Sequence, residues 1–437
     1  MTSEICVMNR RSLVLAADSA ATVTRWEQGH KQERYFKGSN KIFQLSNDQP
    51  VGIMIYASAD LHRVPWEIIV KTFRDDLNKR SFDTVEEYGR EFFRFIEGHR
   101  GLFPRDDLDA VVIENVDQIM IRALQALPED HRVKEAGTAA AAISEAKNLV
   151  LRERLEAILQ TPLRAPFDDA SVNAIRARLS VRLESEAKAD EALFSKNGTI
   201  DHSLLVELGL QTLLRDDSNV QAETGIVIAG YGRGDFFPSF VEFSCTGFVA
   251  DHLYFTKQGE HAIGRYDSGF FKTFAMSSMT DTFTMGFGPD VYSSVRLHLR
   301  KSLQDFANKL TADVGQTSAK VEEFIDQAVK KHTEGWTESV FENHARPLRQ
   351  VIGSLPIEEL ANLAETLVML ESLKEKVTSP SESVGGPIDV AIITKHEGFV
   401  WGKRKLYFDP KINPRYSLRQ QASIFGGMEV SDGSADE

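Results

Sequence analysis

The sequence predicts an α+β fold: a layered, strand-rich core that carries long helical insertions. Strand-like apolar runs gather at the beginning, in the middle and near the end of the 437 residues. Long stretches with apolar residues at helical spacing lie between them, and no internal repeat is evident.

Taken in order, Thr2 to Met8 reads as a strand, Asn9-Arg10-Arg11 as a polar turn and Ser12 to Ser19 as a returning strand. Lys41 to Leu45 and Val51 to Ala57 are two more strands joined by the turn Asn47-Asp48-Gln49-Pro50. Pro65 then opens a helix, where proline is tolerated, and Trp66, Ile69, Val70, Phe73 and Leu77 share one face. Asp83 with Glu86 reads as the N-cap pair of the next helix, whose buried stripe is Val85, Tyr88, Phe92 and Ile96. From about Asp106 to Asp216 the composition turns to Ala, Leu, Glu and Arg, which predicts several helices. The Ala/Glu/Arg-rich stripe from Ala136 to Leu183 faces the core on one side and water on the other, or packs on another subunit.

Strands resume at Thr224 to Ala229 and Ser239 to Phe243. Asp290 to Val377 is helical again: Val295, Leu299, Leu303, Phe306 and Leu310 keep the period, and Pro356 starts a last helix through Leu373. The loop Thr378 to Ser383 leads into a strand ending at Thr394, and the turn Lys395-His396-Glu397-Gly398 precedes Phe399 to Gly402. Residues 1–105, 217–290 and 383–420 are therefore expected to form one core, 106–216 a helical insertion, 291–382 a helical segment packed on the core, and 421–437 a disordered acidic tail.

The net charge of −13, from 64 acidic and 51 basic residues, disfavours general binding to nucleic acid or anionic membrane, which needs a concentrated basic face. Cys6 and Cys245 are too few for a disulfide framework and lie in apolar runs, so both are expected to be buried thiols. The chain shows no signal peptide or membrane span, and a cytoplasmic location is expected. Its histidines are scattered, and no metal site or cofactor is expected. Asp106-Asp107-Leu108-Asp109 lacks the Gly and terminal Glu of a calcium loop and reads as a helix start. Gly230-Tyr231-Gly232-Arg233-Gly234 has the glycines of a phosphate loop, but Phe236-Phe237-Pro238 leads into a strand, so a hairpin turn is the better reading. Ser277-Ser278 reads as a helix N-cap.

Chemistry is expected at the first hairpin, which brings Asp18 back beside Thr2. Removal of Met1, usual before a small second residue, would leave a Thr hydroxyl and a free α-amine next to that carboxylate. A Thr hydroxyl alone is a poor nucleophile, but its own amine can serve as the activating base. An α-amine titrates near 8. Lys41 close by would push it lower, because like charges a few Å apart repel by about 4 kcal/mol at an effective dielectric of about 20. Taken singly, Thr2 would be an ordinary terminal residue, Asp18 a turn residue and Lys41 a solvated lysine after Gly38-Ser39-Asn40.

The opening Thr2, the run Leu13-Val14-Leu15-Ala16-Ala17-Asp18-Ser19 and the later Lys41-Ile42-Phe43 resemble proteasome β-type subunits and their bacterial peptidase relatives, which are N-terminal nucleophile hydrolases. The resemblance covers roughly residues 1–75, 223–260 and 383–405. It implies a four-layer αββα sandwich, a catalytic group of Thr2, Asp18 and Lys41, and cleavage of peptide or amide substrates through an acyl-enzyme on Thr2. It also implies that the backbone of Thr22 pairs with substrate as an added strand and that N–H groups around Ala57, with Ser58, bind the oxyanion and substrate. Glu382 and Ser383 stand nearest to the family's supporting Asp and Ser. A homo-oligomer is implied, with any ATPase partner left open.

Asp18-Ser19-Ala20-Ala21-Thr22 departs from the family's Asp-Ser-Arg-Ala-Thr segment at Ala20, and Tyr56-Ala57 stands where the family usually has a Gly. The interval from Asp18 to Lys41 is longer than the family norm, implying a longer loop through Trp26-Glu27-Gln28-Gly29-His30. The helical insertions have no counterpart in an ordinary subunit. Two alternatives stay open: a catalytically inactive scaffold of this fold whose insertions bind a partner, and an amidase for a small molecule.

Overall fold

The computed structural model describes residues 2–27, 30–195, 197–216, 223–314, 320–378 and 385–425, and the side chains of all of these except 22–33, 313–314 and 420–425. Its first strands are β1 (Ser3–Met8), β2 (Leu13–Ala17), β3 (Ala20–Glu27), β4 (His30–Lys37), β5 (Ile42–Gln44), β6 (Val51–Tyr56), β7 (Asp60–Leu61) and β8 (Val64–Pro65). Helices α1 (Trp66–Leu77), α2 (Val85–Gly98), α3 (Arg105–Ala126), α4 (His131–Glu135), α5 (Ala140–Leu159), α6 (Asp169–Phe194) and α7 (His202–Arg215) follow. Strands β9 (Thr224–Gly230), β10 (Ser239–Val249), β11 (His252–Ala262) and β12 (Phe270–Ala275) come next. Helices α8 (Ser278–Met285), α9 (Pro289–Val314), α10 (Val321–Val340), α11 (Arg346–Ser354) and α12 (Ile357–Thr378) lead to β13 (Asp389–Thr394), β14 (Gly398–Lys403) and α13 (Pro414–Phe425).

The fold is α+β, with two five-stranded antiparallel sheets in the orders β12-β1-β2-β13-β14 and β11-β10-β9-β6-β5. The alternation of side chains along a strand divides β1 and β2 between two cores. Cys6 and Met8, with Leu13 and Leu15, pack on Met54, Val227 and Ala229 of the second sheet. Ile5, Val7, Val14 and Ala16 face the opposite way, onto Leu360, Ala364, Leu367 and Val368 of α12. The second sheet turns Ile53, Ile55, Ile226 and Ile228 toward Ile69 and Phe73 of α1 and Tyr88 and Phe92 of α2. Each of these fully buried large side chains stabilises the fold by about 1.5–3 kcal/mol. Helices α3, α5, α6 and α7 build a separate core around Val116, Met120, Leu151, Leu179 and Leu213, which meets the sheet at Val249 and Ala250.

The structure departs from the sequence reading at four places. The expected loop through Trp26 is the β3–β4 hairpin, because Thr22-Val23-Thr24 and Tyr35-Phe36 supply the β-branched and aromatic residues that favour extended backbone. The cap of α2 is one residue later than Asp83–Glu86: the Thr84 hydroxyl accepts from Glu87 N at 3.3 Å, and the Glu87 carboxylate accepts from Thr84 N at 3.1 Å. The sequence reading has no counterpart for strands β11 and β12; in β12 the aromatic residues Phe270, Phe271 and Phe274 favour extended backbone, but Lys272-Thr273 interrupts the period of two. Helix α13 runs five residues into the segment read as tail, since Pro414 suits a first helical turn and Leu418 to Phe425 holds good helix formers; residues 426–437 lie outside the described residues.

Candidate functional site

The β1–β2 hairpin sets the geometry. Its turn is closed by Asn9, whose side chain accepts from Arg11 N at 2.9 Å and Ser12 N at 3.3 Å. The ladder pairs Glu4 with Ala17, so Asp18 falls beside Ser3. Asp18 N donates to Ser3 O at 3.1 Å, and Ser3 N donates to Asp18 Oδ1 at 3.2 Å. The other Asp18 oxygen accepts from Gly385 N at 2.7 Å. Lys41, just before β5, is fixed by its carbonyl accepting from Ile55 N at 2.8 Å, and its Nζ reaches Asp18 Oδ1 and, at 3.0 Å, Glu4 Oε1. Thr2 Oγ1 donates to Glu4 Oε2 at 3.1 Å. Thr2 and Lys41 thus meet through Glu4, and Asp18 holds Lys41 from the other side.

Glu4 is fully buried between the sheets, on the same face of β1 as Cys6. Burial pushes its carboxyl up to about 7; the Lys41 charge opposes this, the Asp18 charge adds to it, and hydrogen bonds from Lys41 and Thr2 hold it down. Burial also drives the Cys6 thiol far above its usual range, so it is an inert packing group.

The cluster lies under a cleft of about 600 Å³ lined by Thr2, Ala20, Ala21, Lys41, Tyr56, Ala57, Ser58, Glu67 and Met276. The Tyr56 ring lies across Gly225 of the neighbouring strand, where a Cβ would sit 1.8 Å from the ring. Its hydroxyl donates to Glu242 at 2.7 Å, and burial, then that bond, raises its pKa. Ala57 follows with φ +72, a left-handed backbone that only glycine adopts freely. On the far wall, burial would raise Glu67, but hydrogen bonds from Lys71 and Asn40 outweigh it and hold the carboxylate low. A second cavity of about 500 Å³ beside β7 and β8 is lined by His62. That imidazole is committed to accepting from Phe248 N at 2.7 Å, and burial lowers its pKa to about 4.

Of the residues singled out from sequence, Thr2, Asp18 and Lys41 come together, and Ala57 and Ser58 line the same cleft. The Ser58 hydroxyl donates to Asp60 O at 2.9 Å rather than toward Thr2. Thr22 sits on β3 opposite Tyr35, and its side chain lies outside the described residues, as do Glu382 and Ser383 altogether. Gly385, from the end of that same connection, is what reaches Asp18. The sequence reading also missed Glu4, Ala275 at the end of β12 and Met276 just after it, the last two meeting Ser3 and Thr2 through their backbone. A carboxylate at the head of an otherwise apolar strand, two residues from Thr2 and so on its face, was the available signal for Glu4.

Among the described residues no group of three or more His, Cys, Asp or Glu side chains is placed to hold a metal, and no helix is long and apolar enough to cross a membrane. No family model and no curated protein matches this chain. Among solved structures it is similar to a Gly-1 mutant of Anbu from Hyphomicrobium sp. strain MC1, at 9% identity and a TM-score of 0.26, with 99% of this chain and 100% of that one covered. A likeness that slight carries no argument.

Proposed function

We propose that the chain is a proteasome-like N-terminal threonine hydrolase that cleaves peptide or amide bonds through Thr2 once Met1 is removed. The observation that carries the reading is the chain of contacts from Thr2 Oγ1 through Glu4 and Lys41 to Asp18 beneath an open cleft. The two facing sheets with helices on their outer faces are read as the four-layer αββα sandwich of that class.

In this mechanism Thr2 Oγ1 attacks the substrate carbonyl, backbone N–H groups near Ala57 stabilise the oxyanion, and water later releases the ester. The Lys41 ammonium, pinned by Asp18, places positive charge on the Glu4 carboxylate that accepts from the reacting hydroxyl. An extended peptide would add along β3, whose ladder partner among the described residues is β4 on one edge.

The test is labelling by an electrophile that closes a ring on a terminal Thr amine and hydroxyl, read by intact mass. Wild type should be labelled, Thr2→Ala should not, and Lys41→Ala should be labelled far more slowly. Retained Met1, or labelling unchanged in Thr2→Ala, would rule the reading out. A second reading, an inactive scaffold that binds a partner, is favoured by Leu297, Phe306, Leu310 and Phe324, which stand exposed on α9 and α10.

A further inference from the structure

We infer that Glu4 is itself the proton acceptor for the Thr2 hydroxyl, so that the nucleophile has a base within the fold besides its own amine. The inference rests on Thr2 being the nucleophile. It comes from geometry: Glu4 Oε2 is the acceptor of the Thr2 Oγ1 hydrogen bond at 3.1 Å, within reach for direct transfer. A carboxylate placed only to neutralise Lys41 would duplicate Asp18, which already pairs with that ammonium. Glu4 instead spans the two groups, with one oxygen on Lys41 at 3.0 Å and the other on Thr2.

The step balances without a co-reactant. As Oγ1 forms its bond to the carbonyl carbon, its proton passes to Glu4 Oε2. The oxyanion collapses, the C–N bond breaks, and the departing nitrogen takes that proton. Water then attacks the ester, giving a proton to Glu4, which returns it to Thr2 Oγ1 as the C–O bond breaks.

The charged and titratable groups around Glu4 support this role. Lys41 before β5 and Asp18 after β2 act on it directly, and Tyr56 at the end of β6 feels its charge. Tyr56 is held by Glu242 of β10, which Lys272 of β12 pairs. Within this set the Glu4 carboxyl titrates at about 7, where a general base works near neutrality.

The experiment is acylation of the full chain by a β-lactone, which needs only the hydroxyl, followed by intact mass from pH 5.5 to 9. Wild type should show a rate that rises to a plateau with its midpoint near 7. Glu4→Gln should be slower by about a hundredfold, with that limb gone or moved up by about one pH unit or more. An unaltered rate, or a slower rate with the limb unmoved, overturns the inference. Should Glu4→Gln not fold, Glu4→Asp decides by the same readout: retracting the carboxylate should slow acylation about tenfold or more and shift the limb, and no change overturns the role. Acylation that persists in Thr2→Ala sinks the nucleophile assignment instead, so the two failures are told apart.

Discussion

The Glu4–Asp18–Lys41 cluster under the cleft and the Asp117–Asp190 pair between α3 and α6 each place two carboxyl groups together inside the protein, and in each one carboxyl is pushed up to about 7. Their surroundings differ. Burial acts first on both, but Glu4 then meets the opposing charge of Lys41, whereas Asp190 meets Asp117 and Glu186, both negative. The first cluster also touches a hydroxyl and opens to a cleft. A raised carboxyl is thus no mark of chemistry by itself. With a cation and a hydroxyl it becomes a candidate base, and with only another carboxyl it makes folding sensitive to pH.

Lys41→Met tests that contrast most strongly. It strands two buried carboxylates, so unfolding in urea near pH 7.5 should show a loss on the order of 3–5 kcal/mol, together with loss of Thr2 labelling. A loss below about 1 kcal/mol would mean that the cation is not what separates the two clusters.

The pH dependence of stability comes next. Glu4 and Asp190 both have folded pKa values above their unfolded ones, 4.5 and 3.8, so the folded state holds these protons more tightly. The stability they contribute is fully present below those values and is lost as pH rises through about 7. Asp190→Asn should therefore stabilise the protein above pH 7 by about 1 kcal/mol and leave Thr2 labelling as it was. Denaturation midpoints at pH 5 and pH 8 that move in parallel with wild type would remove the proton-sharing account.

The smallest effect concerns backbone strain. In the helical insertion, left-handed positions are given to Gly137, Asn197 and Gly198, but at the cleft they fall on Ala57 and Ala275. Ala57→Gly should raise stability by about 0.5–1 kcal/mol, and Gly137→Ala, where a Cβ would meet nothing within 4 Å, should lower it by about 1 kcal/mol through strain alone. Thermal melts of the two variants shifting in the same direction would show that the cleft alanine is not strained.

The elements whose signals are local were the legible ones. The α1 face of Trp66, Ile69, Val70, Phe73 and Leu77 is buried as the 3.6-residue period requires, and Asn9 closes the first hairpin with its own side chain. The cap of α2 slipped by one residue because Asp83 and Thr84 can both cap, and only the reciprocal bond from Glu87 distinguishes them. Strand β12 was missed because Lys272-Thr273 breaks the alternation of Phe270 to Ala275 and because its pairing with β1 is remote in sequence.

What the sequence by itself determined is the return of Asp18 to the start of the chain, where it lies opposite Ser3, because a hairpin's register follows from its turn and its period of two. What only the tertiary structure decided is the company those residues keep. Whether Glu4 faces α12 or the opposing sheet, and whether Lys41 lands between two carboxylates, depends on how the sheets stack across segments far apart in the chain. Burial then turns a carboxylate of ordinary acidity into one that holds its proton to about 7, since the cost of its charge is set by the solvent it has lost.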